Sequence, residues 1–166
     1  MASGAAARAA RALAERKEPG SADLFLDALR VHADYVDGVR TANLDVLARA
    51  VAAAGIREAA LPLAAHLGRP ETPPADVVEI ARALGALGGT DALPALGDYL
   101  ATYRADAGAD ADPAALAAVA AALGKLGGAA ERQLLRYAAD DARTLEALRG
   151  PLRRALAAVP GEAERP

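Results

Sequence analysis

The chain has 166 residues, a formal net charge of −3, no cysteine, 54% hydrophobic residues and only 3% aromatic residues. That length suffices for one domain with a substantial core, and the missing cysteines exclude disulfides, thiolate metal sites and cysteine nucleophiles. The acidic balance argues against nucleic acid as a partner, because phosphate neutralisation needs clustered Lys and Arg.

About three residues in ten are alanine, which favours helix but buries little area, so the core must come from leucine, valine and isoleucine. Residues 2–17 are Ala- and Arg-rich, with Leu13 their only large apolar side chain. No secretory signal core can be built from them, and residues 1–20 read as an N-terminal arm or helix, frayed or docked, with a basic tether through Arg8, Arg11, Arg16 and Lys17 as the alternative. No apolar run approaches the roughly 20 residues needed to span a bilayer, so no membrane partner is expected, and the cytoplasm is the expected compartment.

From residue 21 the apolar positions fall at helical spacing and nowhere alternate with period two, which predicts an all-α chain. Helices are predicted near 21–36, 41–54, 58–67, 75–87, 91–104, 113–126, 130–139 and 142–158, forming one domain over 21–158 before a tail at 159–166. The first carries the stripe Phe25, Leu29, His32 and Val36. Ser21, Asn43 and Asp141 are candidate N-caps, as is Asp91 with Thr90 its competitor, and Asp112 before Pro113 is a strong start signal. Pro62 and Pro94 mark first turns, where a missing N–H costs nothing. Gly150-Pro151 predicts a kink or break, since Pro151 removes the hydrogen bond to the carbonyl of Ala147.

Internal repetition is the most specific signal. Val77, Ile80, Leu84 and Leu87 lead into Gly88-Gly89, and Leu116, Val119, Leu123 and Leu126 lead into Gly127-Gly128 at the same spacing. Leu44, Leu47 and Val51, followed by Gly55, make a weaker copy, so the stripe recurs after 33 and then 39 residues. Residues 60–67 (ALPLAAHL) also resemble 92–100 (ALPALGDYL).

The runs ARALGALGGTDALPAL (81–96) and AAALGKLGG (120–128) resemble HEAT-like repeats, most nearly the short kind known from phycobilisome lyases. The resemblance covers about 41–140 and implies a right-handed α-solenoid of about four antiparallel helix pairs. The family's Val-Arg pair is replaced by Asp76-Val77 and Ala115-Leu116, so the usual arginine ladder is absent and cohesion is expected from close Ala and Leu packing.

By that resemblance the helices at 41–54, 75–87, 113–126 and 142–158 line a concave face. Their positions off the leucine stripe, Asp45, Arg49, Glu79, Arg82, Lys125 and Arg149, are the candidate partner-binding residues. Arg49 and Arg82 recur at one helical position and are expected side by side, either bridged by an acidic partner segment or paired locally with Glu79 and Asp45.

Catalytic constellations are scarce. Ser3 and Ser21 are the only serines; His32 reads as half-buried, and His66, just before Gly68, as suited to a helix C-terminus. Asp34 and Asp37 near His32 are poorly spaced for one metal ion, and in the loop 106–112 the glutamate of a calcium loop is replaced by Ala117. The glycines follow no strand and precede no P-loop Lys-Ser/Thr pair. The expectation is therefore a non-catalytic protein- or peptide-binding scaffold module, free-standing or a segment of a longer protein, without cofactor, metal or nucleic acid. The alternatives are a repeat enzyme of the bilin-lyase-like class and a structural self-associating domain.

Overall fold

The computed structural model describes residues 20–33, 43–106 and 113–160 and positions 8, 12 and 108; for 30–33 it describes the backbone alone. The greater part of the expected arm at 2–17, the stretch 34–42 with Asp34 and Asp37, the Asp112 cap and the tail from 161 lie outside the described residues. So does the His32 side chain.

Among the described residues the chain is helical, with no strand. In order come α1 (Ser21–Ala33), α2 (Leu44–Ala54), α3 (Ala60–Leu67), α4 (Pro74–Leu87), α5 (Leu93–Tyr103), α6 (Ala114–Leu126), α7 (Ala129–Asp140) and α8 (Glu146–Ala158). The leucine stripes face inward as their spacing requires: Val77, Ile80 and Leu84 of α4, and Leu116, Val119 and Leu123 of α6, are each at most 2% exposed. Phe25 and Leu29 of α1 join the same core.

Helix contacts fall into two rows. α2 packs on α4, α4 on α6 and α6 on α8, while α1 packs on α3, α3 on α5 and α5 on α7. Sequence neighbours α1 and α2, α3 and α4, α5 and α6, and α7 and α8 join the rows. The even-numbered row is the more extensively packed, and it is where small residues meet: Ala81, Ala83 and Gly85 of α4, Ala120, Ala122 and Gly124 of α6 and Ala155 of α8 are all buried.

Several start and stop signals act differently from their sequence reading. Asp91 and Thr90 do not cap α5; both lie in a 3-10 turn, Thr90–Ala92, that leads into the helix, and Arg57–Ala59 does the same before α3. Ser21 is the first residue of α1 rather than its cap, and Asn43 precedes α2 in a left-handed conformation (φ 73°) with its carbonyl, not its side chain, accepting from Val46 and Leu47. The last helix starts at Glu146 rather than near 142 and runs through Pro151 to Ala158 without the expected break. Two causes keep it intact. Gly150 has no Cβ to crowd the proline ring, and Leu148, Leu152 and Ala155 are anchored in the core on both sides of it.

The two matching glycine closures also diverge. Gly88 ends α4 in the left-handed region (φ 78°), its N–H donating to the carbonyl of Leu84. Gly127 ends α6 at φ −76° and ψ 173°, and the chain turns directly into α7 while the N–H of Gly128 donates to Glu131 Oε2 at 2.6 Å.

Equivalent glycines inside the stripes differ as well. A Cβ on Gly85 would meet only Ala122 and Lys125, at 3.7 Å or more, whereas one on Gly124 would collide with the carbonyl oxygen of Ala155 and lie 2.9 Å from its carbonyl carbon and Cα. Gly85→Ala is therefore expected to be neutral or to gain up to about 1 kcal/mol from helix propensity, and Gly124→Ala to lose about 1–3 kcal/mol by forcing α6 and α8 apart. Urea unfolding followed by circular dichroism checks both; equal effects would contradict the close α6–α8 approach.

Candidate functional site

Four of the six residues expected on one face form a connected chain of charges. On α2, Arg49 pairs with Asp45 at 2.5 Å; across the helix boundary it lies 3.8 Å from Glu79 of α4, which accepts from Arg82 at 2.8 Å. Arg49 and Arg82 thus do recur on neighbouring helices, but Glu79 stands between them. Its side chain is 16% exposed against 53% and 67% for the two arginines. Two acids and two bases leave this quartet formally neutral, and such exposed pairs contribute about 0–1 kcal/mol each.

Lys125 has no ion-pair partner among the described residues, and its aliphatic stem lies across Gly85 with the ammonium end exposed. With Arg82 it borders a groove of about 470 Å³ between α4 and α6, whose lining is otherwise Ala81, Gly85 and the α6 alanines 114, 117, 118, 121 and 122. The groove exists because alanine and glycine fill so little of the space between two closely packed helices.

Arg149 does not join this face. It reaches the end of α7, donating to the carbonyls of Ala139 (3.3 Å) and Asp141 (3.4 Å) and pairing with Glu146 at 2.7 Å. It lies on the last even-numbered helix, and its guanidinium satisfies helix-end carbonyls.

That helix end is a polar knot that the sequence reading missed. Asp141, expected to cap the following helix, instead closes α7 and accepts from Arg104 Nη2 at 2.9 Å, from Arg143 Nη2 at 3.0 Å and from the Arg143 backbone N–H at 3.0 Å. The Asp141 and Arg104 side chains are 9% and 11% exposed. Arg104 also lies 5.2 Å from the centre of the Tyr137 ring, and its carbonyl accepts from the N–H of Leu145. The available signal was spacing: Arg104 and Asp141 are 37 residues apart, within the repeat length. Cohesion between neighbouring repeats is therefore not left to apolar packing alone.

Hydrogen bonds from the Arg143 side chain and backbone, helped by the charge of Arg104, hold the Asp141 carboxyl well below the usual carboxylate range. A carboxylate shifted down on folding stabilises the native state above its ordinary pKa, and that stabilisation is lost as pH falls through the folded value. The native chain is thus expected to lose stability between about pH 4 and pH 2, and Asp141→Asn, weaker at neutral pH, to lose less over that interval. Urea midpoints measured across the interval test this; parallel pH curves for the two proteins would exclude it.

His66 is buried (2% exposed) near the end of α3, and it is its backbone carbonyl that serves the helix end, accepting from Thr72 Oγ1 at 2.7 Å and from the N–H of Arg69. Among the described residues no group of three His, Asp or Glu side chains is placed to hold a metal ion, and no helix is long and apolar enough to cross a membrane. Comparison with protein-family models, with curated proteins and with solved structures finds no match to this chain.

Proposed function

We propose that the protein is a non-catalytic scaffold, a right-handed solenoid of HEAT-like helix pairs, that binds a protein or peptide segment along its even-numbered helices. The alternation of helices between two rows and the repeated stripes support the architecture. The observation that carries the binding role is the α4–α6 groove, where an alanine lining meets two exposed cations, Arg82 and Lys125. Charge-assisted contacts favour an acidic segment, led by Lys125, because Arg82 is already paired with Glu79 at 2.8 Å and must share its guanidinium, and Arg49, paired with Asp45 and near Glu79, contributes less than its recurrence suggests.

Selection of random displayed peptides on the native chain tests the reading. Selected peptides are expected to be rich in acidic residues and to lose about tenfold or more in affinity for Arg82→Glu/Lys125→Glu and for Ala121→Trp, which fills the groove from an exposed position. Peptides that bind these variants as well as the native chain would place the binding surface elsewhere.

A second reading, self-association, draws on Leu24 of α1 and Leu61 of α3, large apolar side chains 59% and 58% exposed on neighbouring helices of the odd row. It predicts a mass that rises with concentration in analytical ultracentrifugation and returns to that of a monomer in Leu24→Glu/Leu61→Glu. A monomer at all concentrations would remove it.

A further inference from the structure

A second cleft, apart from the α4–α6 groove, gathers residues from three places in the chain. The α3–α4 loop contributes Arg69 and Pro70, the start of α4 contributes Pro74, the C-terminal half of α5 contributes Tyr99 and Tyr103, and Asp106 follows just beyond. Ala115 and Leu116, buried in the first turn of α6, give it an apolar floor, and its volume is about 280 Å³. In a chain with one phenylalanine, four tyrosines and no tryptophan, two of the aromatic rings stand in this one cleft.

Tyr99 and Tyr103 lie four residues apart on α5, both half-buried, with ring centroids 4.7 Å apart and planes tilted by 48°. Burial raises the Tyr99 hydroxyl above its ordinary pKa, with Tyr103 adding to the effect, so it remains a neutral donor. Arg69 places a guanidinium at the edge of the same cleft. The Thr72 hydroxyl is already committed to the His66 carbonyl. On the acceptor side stands Asp106, exposed, with Oδ1 taking the N–H of Gly108 at 2.8 Å and Oδ2 without a partner among the described residues. The cleft therefore offers aromatic surface, several hydrogen-bond donors and one carboxylate.

We propose that this cleft docks a proline-bearing segment of a partner protein, held in the extended polyproline conformation, with a basic residue beside the proline. Proline has no N–H, and an extended polyproline strand makes no internal hydrogen bonds, so it presents carbonyl acceptors to a wall of donors. Its flat ring packs on tyrosine faces, and its restricted backbone loses little entropy on binding. Asp106 supplies the charge that selects the basic neighbour. This binding is independent of the α4–α6 groove, although both serve a scaffold role.

The test uses the full chain and a labelled arginine-flanked oligoproline peptide, read by fluorescence anisotropy, with a glycine-serine peptide bearing the same arginines as control. Saturable binding of the proline probe is expected, about tenfold weaker for Tyr99→Phe/Tyr103→Phe, which keep the rings and the fold but remove the donors, and similarly weaker for Asp106→Asn. Arg82→Glu/Lys125→Glu is expected to bind the probe as the native chain does, which separates this cleft from the groove. Absence of saturable binding, equal binding of the glycine-serine control, or native affinity in either the tyrosine or the aspartate variant overturns the proposal.

Discussion

The close approach of α6 to α8, where Gly124 lies against the backbone of Ala155, is the constraint on which the even row depends. Helices separated by leucines pack towards the wide end of the ordinary range; helices separated by alanine and glycine pack towards its narrow end, with backbone atoms in contact. Ala81, Ala83 and Gly85 of α4 and Ala120, Ala122 and Gly124 of α6 are buried, and Gly85 faces Ala122 across the α4–α6 contact. Leucines supply the larger part of the core, with Leu84, Leu96, Leu100, Leu123 and Leu135 of α4 to α7 wholly buried. An alanine-rich chain can thus form a dense core, because its smallest residues sit where helices come closest and its larger ones where they diverge.

Arginines finish what apolar packing leaves open. Helix C-termini carry unpaired carbonyls, and in this chain guanidinium groups reach several of them: Arg149 serves the end of α7, and Arg132 donates to the carbonyls of Val159 and Pro160 just past α8, both at 3.0 Å. Arg104, one helix pair earlier, ties the end of α5 to Asp141. These contacts are part-buried, those of Arg149 and Arg132 to backbone and that of Arg104 to a shielded carboxylate, unlike the more exposed Asp45–Arg49–Glu79–Arg82 chain, so they help to fix how successive pairs dock while the surface quartet mainly neutralises charge.

The two surfaces with binding chemistry follow from the same division of residue types. Where alanines line the junction of α4 and α6, a shallow groove opens with Arg82 and Lys125 beside it. Where the odd row carries tyrosines, the α3–α4 loop and the end of α5 form a smaller cleft richer in hydrogen-bonding groups. The first carries its charge on Arg82 and Lys125, and the second combines Tyr99 and Tyr103 with Arg69 and Asp106.

Helix content, the inward stripes and most helix limits could be read in the sequence, because period 3.6 and the placement of Pro62 and Pro94 are local properties of the chain. The recurrence of Arg49 and Arg82 was also legible, since helical position fixes direction. What could not be read was which partner each charge would find. Glu79 between the two arginines, Arg149 turned to the carbonyls of α7, and Asp141 held by Arg104 from 37 residues away all depend on distances between helices. The same holds for the matched glycines: Gly85 and Gly124 occupy one position of the repeat, yet a Cβ would touch the neighbouring helix at ordinary contact distance on Gly85 and collide with its backbone on Gly124. Local pattern determined the elements and their buried faces; the spacing of packed helices, which no single element encodes, decided which of the two matched glycines has no room for a side chain and which side chains meet.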